Sequence, residues 1–225
     1  MLYLCSEFKK NAPNVRFDTF GRIIIMEPNF ITMNNHMNTN TMENTPKKYE
    51  AIIFDMDGTL FDTSSIMPLI RQLRQVKRKS EAYYEIWKKV DKTSDVFKEF
   101  DGMSEVLQFI RENDVKSIIV TGSVKRITNR LKRFHLPFVG VLTRFDVGHK
   151  KPHPEPMFRA LEILGCDASK VLSIGNQVID LQASKAAGID FAMAAWGVDD
   201  DEREQLMQES DYVLQDPREI MQMIA

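Results

Sequence analysis

An α/β fold, a parallel sheet with helices on both faces, is what this sequence predicts, on three observations. Short continuous apolar runs of strand length recur from Tyr49 onward. Helical apolar patterns separate most of them, and the runs end in acids, hydroxyls or glycine. Continuous apolar strands alternating with amphipathic helices require a sheet buried on both sides, and such sheets gather ligands at the carboxyl ends of their strands.

The elements follow in chain order. Residues 1–46 read as a disordered N-terminal extension, since the stretch NNHMNTNTMENT has almost nothing to bury. Within it Ile23–Met26 is strand-like but has no evident partner, and an internal start at Met37 or Met42 would leave the segment without a structural role. The strand runs are Ala51–Phe54, Ser117–Val120, Val171–Ile174, Phe191–Ala194 and Tyr212–Leu214. Val106, Phe109 and Ile110 share one helix face, as do Val124, Ile127, Leu131 and Phe134, and then Met157, Leu161 and Leu164. A helix through Leu181–Ala187 stops at Gly188, a residue suited to a left-handed C-terminal position. The interval from Asp55 to Thr121 is too long for one crossover, so residues 63–97 read as a small helical insertion over the strand ends. Ile66, Leu69, Ile70, Leu73 and Val76 give it one amphipathic pattern, and Tyr83, Tyr84 and Trp87 pack it. The remaining 47–62 and 98–225 form the α/β core.

Composition narrows the class. Hydrophobic residues are 43% and charged residues 28%, as in a soluble globular domain. Thirty Lys and Arg against 32 Asp and Glu leave a net charge of −2, which argues against a broad nucleic-acid surface. No apolar run reaches the length of a membrane span. Cys5 and Cys166 form no metal-ligand or C-x-x-C pattern, so a reducing, cytoplasmic setting fits.

The strand ends carry the chemistry. Ala51–Phe54 runs into Asp55, with Asp57 two residues on and Gly58 to make the turn. Two carboxylates so close repel, and a divalent cation would relieve them. Alone, the pair also fits a turn acid with a helix cap. The next strand ends in Thr121-Gly122-Ser123, a hydroxyl with backbone N–H groups at a helix start, which suits an anion and equally an N-cap. Lys150 and Lys151 precede a proline-rich loop, where a lysine either holds a phosphate or is solvated. Val171–Ile174 leads into Gly175-Asn176, with Asp180 following.

In this order, DMDGT, then TGS, then KP, then G-x4-D, the chain resembles the haloacid dehalogenase superfamily over residues 49–223. The late AWG and DYVLQDPREI segments resemble its phosphoglycolate phosphatase-like branch. The resemblance implies a Rossmann-like core, a cap inserted after the first motif, and Mg2+-dependent hydrolysis of a small phosphorylated metabolite. It makes Asp55 the nucleophile and Asp57 the general acid and base. It gives Thr121, with Gly122 and Ser123, contact to the phosphoryl oxygens, and Lys151 rather than Lys150 the neutralising charge. Mg2+ would take the Asp55 carboxylate and the Asp57 backbone carbonyl. The family's next ligand is an aspartate where this chain has Asn176, an amide without charge, and Asp180 supports either the lysine or the metal.

The cap is short for the family, which implies an open site. Its Arg71, Arg74 and Arg78 share one helix face and read first as a solvated surface, with attraction of an anionic substrate as the alternative. Two other functions compete with the phosphatase: a sugar-phosphate mutase type of phosphotransferase, and a pseudoenzyme binding phospho-ligands or protein. The reduced cap disfavours the first, because a mutase must exclude water. The retained acids and lysine disfavour the second.

Overall fold

The computed structural model describes residues 15–17, 23–25, 49–93, 98–129, 131 and 136–224. The N-terminal run has a partner after all: Val15–Phe17 (β1) pairs antiparallel with Ile23–Ile25 (β2). That partner, VRF, alternates around an arginine and leaves little apolar signal in the sequence. The Asn- and Thr-rich stretch, Met26 and Phe134 lie outside the described residues. The chain divides into two compact units, Met1–Asn44 and Thr45–Ala225.

The second unit is built on Ala51–Phe54 (β3), four residues without solvent exposure. Its alternate side chains serve opposite faces, as the twofold period of a strand requires. Ile52 and Phe54 join the larger apolar cluster with Val106, Leu107 and Ile110. Ala51 and Ile53 join a second cluster with Met157, Ala160 and Leu164.

Phe61–Asp62 (β4) leads into the insertion, whose helices are Met67–Leu73 (α1) and Glu81–Lys92 (α2). Ser80 caps α2, its hydroxyl accepting from Tyr83 N at 3.2 Å. The chain returns as Lys98–Glu99 (β5), which pairs antiparallel with β4, so the insertion leaves and rejoins at adjacent points. Then come Met103–Glu112 (α3), Lys116–Thr121 (β6), Lys125–Thr128 (α4), Gly140–Thr143 (β7), Glu155–Leu164 (α5), Val171–Gly175 (β8), Val178–Ala186 (α6), Asp190–Ala194 (β9), Asp200–Glu209 (α7) and Tyr212–Leu214 (β10).

The six-stranded sheet has the order β10-β9-β8-β3-β6-β7. Each neighbouring pair in it is parallel. From β3 the chain fills one side through β6 and β7, then crosses to β8 on the other. The crevice therefore opens at the carboxyl end of β3, where the strand order reverses. Each of the five strand runs read from the sequence forms a strand of this sheet. Several elements depart from the reading. Among the described residues the helix after β6 spans Lys125–Thr128, and β7 as an edge strand, α7 and the β4–β5 pair are additional. Among the described residues no helix is long and apolar enough to cross a membrane.

Candidate active site

Four strand ends meet in this crevice. Asp55 follows the last residue of β3 and is 9% exposed, its N–H donating to Ile174 O at 2.9 Å. Lys151, in the loop after β7, is 6% exposed. Its ammonium donates to Asp55 Oδ1 at 2.6 Å and to Val120 O at 2.8 Å. It lies 2.6 Å from Asp180 Oδ1 as well. Two hydrogen bonds and this ion pair hold the ammonium in place, although Asp180 Oδ1 itself accepts no well-directed hydrogen bond. Burial opposes its charge, but Asp180 and Asp55 more than offset this and hold the ammonium above its usual range.

The loop that presents Lys151 is braced from α5. Glu155 accepts from His149 N at 2.9 Å and meets His149 Nδ1 at 2.7 Å. Lys150, the neighbour, is exposed and lines the cleft without touching Asp55 in any hydrogen bond described.

Asp57 stands on the turn beside Asp55. Its Oδ2 accepts from Ser123 Oγ at 2.6 Å and from Thr121 Oγ1 at the long distance of 3.5 Å. Thr121 Oγ1 accepts in turn from Ser123 N at 3.0 Å, so the TGS turn is folded onto Asp57. A Cβ on Gly122 would meet nothing within 4 Å, which leaves open space beside that backbone. Burial pushes the Asp57 carboxyl up against the lowering effect of these hydroxyls. Burial also pushes Asp55 up, to about 7; Lys151 counters it, while Asp180 and Asp57 add to it.

Asn176 and Asp180 take different places. Asp180 is 1% exposed, and its Oδ2 accepts from Gln177 N at 3.1 Å in a capping box at the start of α6. Its other oxygen faces Lys151. Asn176 Nδ2 donates to Gly197 O at 2.7 Å, which fixes the amide's orientation, and Oδ1 accepts from Thr59 Oγ1 at 3.1 Å.

Three contributors escaped the sequence reading: Thr59, Trp196 and Gly197. Trp196 Nε1 donates to Thr59 O at 2.9 Å. A Cβ on Gly197 would stand 1.7 Å from Gly58 O, and one on Gly58, whose φ is +84°, would stand 2.3 Å from Asn176 Nδ2. Only glycines allow these two turns to touch. The AWG segment is thus a clamp on the DMDGT turn, and its glycine was the available signal.

The cleft above these residues has a volume of about 770 Å³. Arg71, Arg74 and Arg78 line it, together with Tyr83 and Trp87. All three arginines are exposed, as the solvated-surface reading expects, and the same side chains line the cleft. The shared helix face expected from the sequence does not form: α1 ends at Leu73, Arg74 is its C-cap and Arg78 lies beyond it.

The floor offers oxygen donors only, with three carboxylates facing a single ammonium. That donor set suits a hard divalent cation.

A family model for haloacid dehalogenase-like hydrolases matches residues 65–194, more than half of the chain. The chain belongs to the haloacid dehalogenase-like hydrolase family. The matched segment of this hydrolase holds Thr121, Lys151, Asn176 and Asp180, and Asp55 and Asp57 precede it. The pyrophosphatase PpaX of Bacillus velezensis is 27% identical over 187 residues, covering 68% of this chain and 87% of that protein. The phosphoglycolate phosphatase of Aquifex aeolicus is 25% identical, over 65% of this chain and 85% of its own length. Among solved structures, a β-phosphoglucomutase-like protein of Thermotoga maritima is 25% identical with a TM-score of 0.61, covering 76% of this chain and 96% of its own. A hydrolase of the same superfamily from Geobacter sulfurreducens superposes with a TM-score of 0.59 at 21% identity, covering 78% of this chain and all of that one, and shares the fold.

Proposed function

We propose that the protein is a Mg2+-dependent phosphatase that hydrolyses a small phosphomonoester through a phosphoaspartate on Asp55. The observation that carries this reading is the buried Asp55 carboxylate at the end of the central strand, held 2.6 Å from the Lys151 ammonium with Asp57 beside it.

Asp55 attacks phosphorus as its bond to the ester oxygen breaks. Asp57, whose carboxyl is pushed by burial toward its protonated form, delivers a proton to the leaving alcohol. Its carboxylate then takes a proton from water, which attacks the phosphoaspartate, releasing orthophosphate and freeing Asp55. Lys151 offsets the charge gathered at Asp55, and the Thr121-Gly122-Ser123 turn offers donors to the phosphoryl oxygens. Asp180 orients Lys151 through the 2.6 Å ion pair. The Asp55 carboxylate, the Asp57 carbonyl and Asn176 Oδ1 would hold Mg2+, with Asp180 the other candidate. When bound, the cation neutralises charge on the phosphoryl group and on the two aspartates. The names of the PpaX and phosphoglycolate phosphatase relatives support the same class of reaction.

The test is turnover of a panel of phosphomonoesters by purified protein, in Mg2+ and in EDTA. Orthophosphate release that requires Mg2+ is expected, and Asp55→Asn should lose at least about a thousandfold in kcat while keeping its circular dichroism. Release by the Asp55→Asn protein at a near-normal rate would remove the covalent route. Phosphate moved to another position of the substrate, without release, would favour a mutase.

A further inference from the structure

We propose that Arg71, Arg74 and Arg78 form a second phosphate subsite, and that the substrate is an organic bisphosphate, bound by one phosphate on the cap while the other is hydrolysed at Asp55. This rests on the phosphatase reading above and names its substrate class.

Charge is the first argument. The chain as a whole is slightly acidic, at −2. The cleft wall is the opposite: Arg71, Arg74, Arg78, Lys125, Arg144 and Lys150 line it, and the only acids among the described lining residues are Asp55 and Asp57 on the floor. Lys125 is matched by Asp146 at 2.8 Å, and Arg144 lies against the Phe145 ring, 4.9 Å from its centre. The three cap arginines and Lys150 have no ion pair with any described residue. Four unmatched cations around one cleft repel each other and give it a positive potential, which a bound anion would relieve.

The plainer explanation, that cations at a helix C-terminus complement its dipole, covers part of this. Arg71 lies in the last turn of α1 and Arg74 is its C-cap. Arg78 lies beyond the helix, yet it faces the same cavity. Neighbouring like charges three residues apart also repel. A dipole therefore does not account for the set, whereas a shared anion does.

The ligand class follows from number and size. Guanidinium groups match phosphate oxygens in forked pairs, and three of them exceed what one carboxylate can accept. The volume of about 770 Å³ is far more than one phosphate fills. The arginines belong to the insertion and Asp55 to the sheet, and both line this one cleft, which leaves volume for a carbon skeleton beside two phosphates. Ile70, Leu73 and Trp87 in the same wall give that skeleton an apolar surface. The reaction breaks one P–O ester bond with water as acceptor. The phosphate on the arginines leaves unchanged as part of the monophosphate product.

The experiment measures kcat/KM for fructose 1,6-bisphosphate, ribulose 1,5-bisphosphate, 2,3-bisphosphoglycerate, inorganic pyrophosphate, fructose 6-phosphate and p-nitrophenyl phosphate. It uses wild type and the triple variant Arg71→Gln, Arg74→Gln, Arg78→Gln. For wild type, at least one organic bisphosphate should exceed the monoesters and pyrophosphate. Its kcat/KM relative to p-nitrophenyl phosphate should fall at least tenfold in the triple variant. Arg→Lys at the same three sites should restore part of the loss. A ratio unchanged within twofold would overturn the subsite, and a preference for pyrophosphate over every organic bisphosphate would overturn the substrate class. Hydrolysis of p-nitrophenyl phosphate tests the phosphatase reading separately. If no ester is turned over, calorimetric binding of fructose 1,6-bisphosphate decides the subsite alone. Weaker binding by the triple variant supports it, and equal binding overturns it.

Discussion

Asn176 has both ends of its amide engaged, the nitrogen on Gly197 O and the oxygen on Thr59 Oγ1. An aspartate there, the usual residue of the family, could not donate to Gly197 and would set a carboxylate oxygen against that carbonyl. We expect Asn176→Asp to cost about 1–3 kcal/mol in EDTA, the penalty for an unsatisfied buried group. Mg2+ should recover more stability in this variant than in wild type, since binding to the folded state alone stabilises it. The midpoint of rate against Mg2+ should also move to lower concentration. Melting curves in EDTA and in Mg2+, with a rate titration, check this. Asp180→Asn should leave that midpoint in place and lower kcat, because Asp180 holds Lys151. Motion of the midpoint by Asp180→Asn alone would move the cation's contact to Asp180. Residue identity at these positions was legible, since the motifs name them. The partners were not, because Gly197 is 21 positions from Asn176 and no local pattern joins them.

At the scale of elements, legibility followed apolar density. β3, β6, β8, β9 and β10 were readable because buried strands leave unbroken apolar runs. β7 reads GVLT, too short and mixed to stand out. α7 buries only Leu206, so its sequence carries no stripe to detect. The loop after β7 shows how a short element is fixed by charge instead. Asp146 accepts from Thr143 N at 2.9 Å and pairs with Lys125 at 2.8 Å. The Lys125 bond, then that from Thr143, holds its carboxyl at about 2, below the ordinary 3.8. A lowered acid stabilises the fold above the unfolded value, and that contribution fades as pH falls through the folded one. Asp146→Asn should therefore melt lower than wild type between pH 5 and 7. The gap should begin to close below about pH 4, in thermal melts across that range, and a gap independent of pH would show that the ionised form contributes nothing.

For the whole molecule, the ends of the sheet divide the labour. The carboxyl ends hold the candidate chemistry. At the amino ends Tyr49, fully buried, donates to Asp190 Oδ2 at 2.7 Å and bonds the Tyr212 hydroxyl at 3.0 Å, tying β3 to β9 and β10. The 1–44 unit is compact by itself, its described strands pairing with each other. A chain beginning at Met42 should therefore keep the melting temperature and specific activity of the full protein. A loss of more than about half of either would show that the first unit supports the second.

The sequence holds two tryptophans. Trp87 belongs to the insertion and Trp196 to the clamp beside the floor, yet both pack into one continuous apolar cluster with Val106 and Ile110 beneath the sheet. That continuity supplies the protein with a built-in pair of optical reporters. In Trp87→Phe the remaining emission reports the floor, and in Trp196→Phe it reports the cap. If one cluster holds both parts, each fluorescence transition in urea should coincide with the loss of far-ultraviolet dichroism in the same protein. Red-shifted Trp87 emission at a lower urea concentration would mean that the cap melts first. A coincident transition would instead give the cleft a rigid roof, shaped before any substrate arrives.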